Sequence, residues 1–185
     1  MKPDIRFLSQ IKDVLYDKAW AAKAPHLEVY YMYRGLEKKD GLRYDITIIP
    51  ARLLGREFVK TKGHEHKNCG ELYIVLAGQA IYLMQKRRGN EIEDVFAVRA
   101  KKGDVVIIPS CYGHVTINPA RKKLVMANWV AEKSQNTYDA ISKKQGACYY
   151  YTKKGWIKNE KYRKVPKLRF QKPLKSIPKD LSFLK

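Results

Sequence analysis

The sequence predicts an all-β sandwich or barrel with a helix in front of it and a basic tail behind it. Two observations set the class. From residue 28 onward the apolar residues recur with period two, and turn signals interrupt them about every 8–12 residues. A third observation, the uneven distribution of charge, sets the tail apart.

Residues 5–23 come first. Ile5, Leu8, Ile11, Leu15 and Ala19 fall at helical spacing and Pro25 marks the end, so a helix is expected there. The period then changes. EVYYMYR, YDITIIPARLL, EFVKTKGHEH, ELYIVLAG, QAIYLMQKR, EDVFAVRA, DVVIIPS, HVTIN and LVMANWVAE read as strands. KKDG, the loop over 67–70, RRGN, KKGD and NPARKK join them. A short helix in NTYDAISKKQG closes the region, and no internal repeat suggests an array. The organisation expected is an N-terminal helical segment over 1–27, a β-domain over 28–141, and an extension with its basic tail over 142–185.

A chain of 185 residues with 45% hydrophobic and 30% charged content has the size and balance of one soluble domain. No apolar run approaches the ~20 residues that span a bilayer, so no membrane partner is expected. The first residues, MKPDIRFLSQIKDVLYD, carry no signal-peptide core, and a cytoplasmic location follows as the expectation. Cys69, Cys111 and Cys148 stand at unrelated spacings, which suits reduced thiols and not a disulfide framework.

Of the net charge of +20, residues 143–185 carry +12, with 14 Lys or Arg against only Glu160 and Asp180. Pro166, Pro173 and Pro178 argue against a long helix there. Contact with a nucleic acid or another polyanion is one reading. The preferred one is a solvated tail that wraps its own domain, so that nucleic acid is not expected as a partner. Removal of residues 171–185 is then expected to leave turnover nearly unchanged.

TKGHEHKNCGELYIVLAG, residues 61–78, carries the first chemical signal. Two of the four histidines, His64 and His66, would share one face of a strand. A solvated surface pair is the plain reading. A divalent metal is the other, because it accepts neutral imidazole nitrogens that otherwise repel when protonated. The loop over 67–70 lets the chain reverse, so that Glu71 can begin an adjacent strand beside them. Simple alternation turns Thr61 away from the His64 face unless Gly63 bends the strand.

A longer set of spacings bears on the choice. Gly63-His64-Glu65-His66 is followed after four residues by Glu71 and after six more by Gly78. Gly103 is followed after five residues by Pro109, after four more by His114 and after three more by Asn118. Together these resemble the two signature motifs of the cupin superfamily, with Phe58 and Cys111 standing at two positions where those motifs carry glycine. The resemblance implies a double-stranded β-helix, or jelly-roll, barrel. It also implies one divalent metal held by His64, His66, Glu71 and His114, with coordination positions left open. Cys69 and Cys111 lie close in sequence, but thiolate ligation would depart from the pattern, and His26 beside Pro25 is read as incidental.

Within the cupins, Thr61, Lys62, Gly63, His64, His66, Glu71, Tyr73, Leu76, Gly78, Ala80 and Gln85 are similar to a run in the cupin-type glucose-6-phosphate isomerases of archaea and bacteria. EVY at 28–30, Thr47 and Tyr138 in TYDAI agree further. The resemblance implies a homodimer that interconverts glucose 6-phosphate and fructose 6-phosphate. Iron is the first choice of metal, with manganese, zinc or nickel as alternatives. It makes Thr47, Thr61, Gly63, Tyr73 and Tyr138 candidate substrate contacts and Glu71 the candidate proton shuttle of an enediolate mechanism. It also places a histidine where this chain has Asn136, and a tyrosine near Leu27 that Tyr30 could replace. A cupin iron dioxygenase, or a metal- or sugar-binding cupin without turnover, are the rival readings.

Overall fold

The computed structural model describes residues 2–66 and 68–185, so one position of the expected loop over 67–70, Lys67, lies outside the described residues. The chain opens with β1 (Asp4–Phe7), β2 (Glu28–Lys39), β3 (Leu42–Ile49), β4 (Leu53–Leu54) and β5 (Glu57–Phe58). It continues through β6 (His64–Glu65), β7 (Glu71–Ala77), β8 (Gln79–Arg88), β9 (Glu91–Lys101), β10 (Val105–Ile108), β11 (Gly113–Ile117) and β12 (Leu124–Ala131). Helix α1 (Lys18–Lys23) precedes β2 and α2 (Asp139–Lys143) follows β12; β13 (Tyr149–Thr152), β14 (Gly155–Lys158) and β15 (Arg169–Gln171) complete the chain.

The strands form a six-stranded sheet in the order β1-β2-β3-β12-β7-β10, a five-stranded sheet β15-β9-β8-β11-β6, and a smaller sheet β14-β13-β5-β4. The two larger sheets pack face to face, as the jelly roll implied by the motif resemblance would have them. Tyr73, Val75 and Met126 of the first share a core with Tyr82, Met84 and Phe96 of the second. Strand β8 shows why some runs read as continuously apolar. Ala80, Tyr82 and Met84 enter that core, while Ile81 and Leu83 enter a second core with Val115 and Ile117 under Cys148 and Tyr162. A strand buried on both faces loses the polar alternation of a half-exposed one. Among the described residues no helix is long and apolar enough to cross a membrane.

Three expectations are corrected. The helix expected over 5–23 forms only at Lys18–Lys23; residues 4–7 instead add an edge strand to β2, and two 3-10 turns follow. Leu8, Ile11, Val14 and Leu15 are all fully buried in the main core, and short turns meet an i, i+3 pattern as well as one long helix does. EFVKTKGHEH is not one strand but two short ones, β5 and β6, separated by residues 59–63.

The basic tail does wrap the domain and is docked through its backbone and its last turn, while most of its side chains stay exposed. Strand β15 pairs in parallel with β9, and Leu174 and Val105 exchange backbone hydrogen bonds of 2.8 and 3.0 Å. Leu184 is fully buried in a third cluster with Leu42, Leu72 and Val105. The sheet face that these residues present is apolar, and the tail's own apolar residues are what cover it.

Candidate functional site

Two strand pairings assemble the site. In β11 against β6, His114 and His64 are direct cross-strand partners. In β10 against β7, Glu71 pairs with Ile108, which places its carboxylate at the head of the neighbouring sheet. His66 follows β6 and is buried. The Nε2 atoms of His66, His114 and His64 lie 3.1, 3.3 and 3.7 Å from Glu71 Oε2. His64 Nε2 and His66 Nε2 are 3.0 Å apart. The other Glu71 oxygen, Oε1, accepts a hydrogen bond of 2.7 Å from Asn128 Nδ2, and the Tyr73 hydroxyl lies 3.2 Å from His114 Nε2.

Gly63 reconciles Thr61 with His64. Its φ is +84°, in the left-handed region, and a Cβ there would sit 2.6 Å from Val115 Cγ2, so both the backbone and the space require glycine. The break lets Thr61 and His64 line the same cavity between the sheets. Thr61 Oγ1 also accepts a 3.0 Å hydrogen bond from the Thr116 amide. The two missing motif glycines have different fates. Cys111 takes the glycine conformation at φ +65°, whereas Phe58 lies in strand β5 and has no need of it.

All five expected substrate contacts, Thr47, Thr61, Gly63, Tyr73 and Tyr138, line the cavity. Asn136 and Tyr30 line it too, and Leu27 does not; Asn136 Nδ2 donates to the Tyr138 hydroxyl at 3.3 Å. Sequence reasoning missed Met32, Arg34, Arg43, Asp45, Met126 and Asn128. Extending period two from Thr47 along its own strand gives Asp45 and Arg43, and its cross-strand partner Met126 leads likewise to Asn128. Cys69 stands apart from the cluster, in a separate depression with Asn68 and Lys185. His26 stacks on Phe7 at 4.7 Å, outside the site.

The electrostatics suit a cation. Burial lowers the pKa of His64 and pushes that of His114 well below the ordinary range, which keeps both imidazoles neutral with lone pairs to offer. Burial alone would raise the Glu71 carboxyl, but its close side-chain contacts with His64 and His66 hold it well below the usual carboxylate range. Donor atoms held about 2.1 Å from one ion at right angles would lie ~3 Å apart, close to the separations in this cluster. Three imidazoles and one ionised carboxylate therefore fit a divalent metal; His64, His66 and Glu71 alone already converge tightly enough to hold one.

A family model described as glucose-6-phosphate isomerase matches residues 10–167. The glucose-6-phosphate isomerases of Thermococcus litoralis and Pyrococcus abyssi are each 27% identical over 150 residues, covering 77% of this chain and 77% of the relative. Among solved structures, the oxalate decarboxylase of Lactobacillus farciminis overlaps 56% of this chain and 29% of its own, at 18% identity and a TM-score of 0.46. The family model spans the three motif histidines and the cavity walls from Tyr30 to Tyr138, and by that match the chain belongs to the glucose-6-phosphate isomerase family.

Proposed function

We propose that the protein is a metal-dependent aldose–ketose isomerase that interconverts glucose 6-phosphate and fructose 6-phosphate. The observation that carries this reading is the convergence of three imidazoles on the Glu71 carboxylate at one wall of a polar cavity, in a chain of this family. His64, His66, Glu71 and His114 are the residues that would hold the metal. When bound, the metal would supply Lewis-acid stabilisation of an enediolate's two oxygens and a template for them.

The remaining work falls to side chains. Isomerisation removes a proton from the carbon beside a carbonyl and returns it to the neighbouring carbon. Glu71 is ionised at neutral pH and so is ready to take that proton without prior deprotonation; its low pKa makes it a weak base. Of its oxygens, Oε1 is the one that faces Asn128 and not the imidazoles, and we assign the proton transfer to it. Asn128 is then a positioning residue that fixes the carboxylate's rotation. Thr47, Thr61, Gly63, Tyr73 and Tyr138 form the walls that orient the sugar.

The reading carries iron as native metal, a homodimer and a cytoplasmic location with it. A coupled assay on fructose 6-phosphate, after reconstitution with iron, manganese, zinc or nickel, tests the activity. Turnover that depends on added metal is expected. Oxygen uptake without sugar-phosphate turnover under every metal would replace the isomerase with a dioxygenase. Metal analysis of protein from its native source and light scattering test the other two assignments of metal and dimer.

A further inference from the structure

We infer that Arg6, from the N-terminal edge strand and outside the family-matched region, supplies the positive charge that selects a phosphorylated sugar in this cavity. The inference rests on the isomerase reading and adds a specificity-determining residue to it.

The register of β1 against β2 places Arg6 directly opposite Tyr30. Directly paired residues project from the same face of a sheet, so Arg6 extends on the side where Tyr30 lines the cavity. Its guanidinium carbon lies 6.0 Å from the centre of the Tyr30 ring and 5.8 Å from that of Tyr138, the second phenol of the wall. Arg6 thus stands beside two hydroxyl-bearing rings of the cavity wall, behind the residues that line it. Asn136, which bonds the Tyr138 hydroxyl, is neutral and brings no charge there.

The other cations of this region are already matched to carboxylates. Arg34 pairs with Asp4 at 3.3 Å, Arg43 with Asp45 at 3.0 Å, and Lys62 with Asp13 at 3.3 Å. Among the described residues no carboxylate lies within ion-pairing distance of Arg6, and its buried Nε has no hydrogen-bond partner. A guanidinium has five donors in a planar fork that suits a phosphate's oxygens, and a partly buried one without a counter-ion gains most from an arriving dianion. The donor cluster at Glu71 would hold the reacting carbons, and the phosphate at the far end of the same sugar would meet Arg6 with the Tyr30 and Tyr138 hydroxyls.

The test compares wild type, Arg6→Gln, Arg6→Lys and Arg34→Met, each with metal content measured. For Arg6→Gln, KM for fructose 6-phosphate and the inhibition constant of inorganic phosphate should both rise about 10–100-fold, with kcat changed only a few-fold. Arg6→Lys should recover most of the phosphate affinity. A fall in kcat or thermal stability of Arg6→Gln with unchanged inhibition by phosphate would overturn the inference and leave Arg6 a structural residue. So would a loss confined to Arg34→Met. If wild type turns over no fructose 6-phosphate, the isomerase reading fails separately, and calorimetric titration with inorganic phosphate still decides about Arg6. Binding by wild type and not by Arg6→Gln supports it; equal or absent binding by both rejects it.

Discussion

The carbonyl of Phe183 accepts a 2.9 Å hydrogen bond from the amide of Gly70, which fastens the last turn of the chain to the residue just before Glu71. The approach is close: a Cβ on Gly70 would lie 3.0 Å from both Phe183 O and Ile108 O. Beside it, Leu184 is fully buried against Leu72, the residue just after Glu71. The tail thus grips the chain on both sides of a candidate metal ligand.

Deleting residues 181–185 is therefore expected to weaken metal retention and lower the melting temperature, against the unchanged turnover that the tail's composition alone suggests. Leu184→Ala should by itself cost roughly 2–3 kcal/mol, at the lower end for a buried leucine. Chelator competition and thermal melts check both. Wild-type metal affinity in the truncated protein would show that the tail is only a cover.

His64→Ala and His114→Ala should each lose metal and activity together. The two residues are cross-strand partners with ring centres 4.4 Å apart, so removing either opens the same donor cluster. Full metal occupancy in both variants would refute this ligand set.

Glu71→Gln separates ligation from proton transfer. It keeps the shape and an oxygen but removes the charge and nearly all of the basicity. At saturating metal the rate should fall on the order of 10²–10⁴-fold, the usual weight of general acid–base catalysis. Exchange of the substrate C2 hydrogen with solvent deuterium should be suppressed in parallel. Near-normal isomerisation by metal-loaded Glu71→Gln would remove the base assignment and leave the metal site standing.

Cys111→Gly should not destabilise the fold. Cys111 holds φ at +65°, a conformation that costs a side-chain-bearing residue about 1 kcal/mol or more. Glycine relieves that strain but gains freedom in the unfolded chain, so the net change should lie between zero and about +1 kcal/mol of stability. Chemical denaturation measures it, and a clear loss would mean that the thiol contributes more than its backbone costs.

Acid should loosen the tail's docking. Burial would raise the Asp104 carboxyl, but the Lys175 ammonium at 2.6 Å and the Lys101 amide at 2.9 Å hold it below its usual value. A depressed carboxyl stabilises the fold fully above the unfolded carboxylate range, and that contribution is lost as pH falls through the lowered value. Protection of the Val105 and Leu174 amides, which are joined across this contact, should therefore fall below about pH 4 relative to neutral pH once exchange is corrected for its intrinsic pH dependence. Asp104→Asn should abolish that difference; protection that is unchanged by acid in wild type would show that the ion pair does not hold the tail.

The sequence by itself determined the period-two strands, the aspartate–glycine turn at β2–β3 and the spacings of the four candidate donor residues. These are local: a run such as ELYIVLAG states its strand through alternation and its turns through glycine, and the histidine and glutamate spacings survive as spacings. It also marked Gly63 as a place where a bend would bring Thr61 onto the His64 face. The tertiary structure decided what depends on packing between distant segments. Leu8, Ile11, Val14 and Leu15 fit a helix and a chain of short turns equally well, and only their contact with the main core chose the turns. The tail's lysines announced solvent, yet Leu184 docks on the apolar face at Leu72 and Val105. Arg6 acquires a role only through strand register, because nothing in its own neighbourhood of sequence says that it will stand beside Tyr30 and Tyr138.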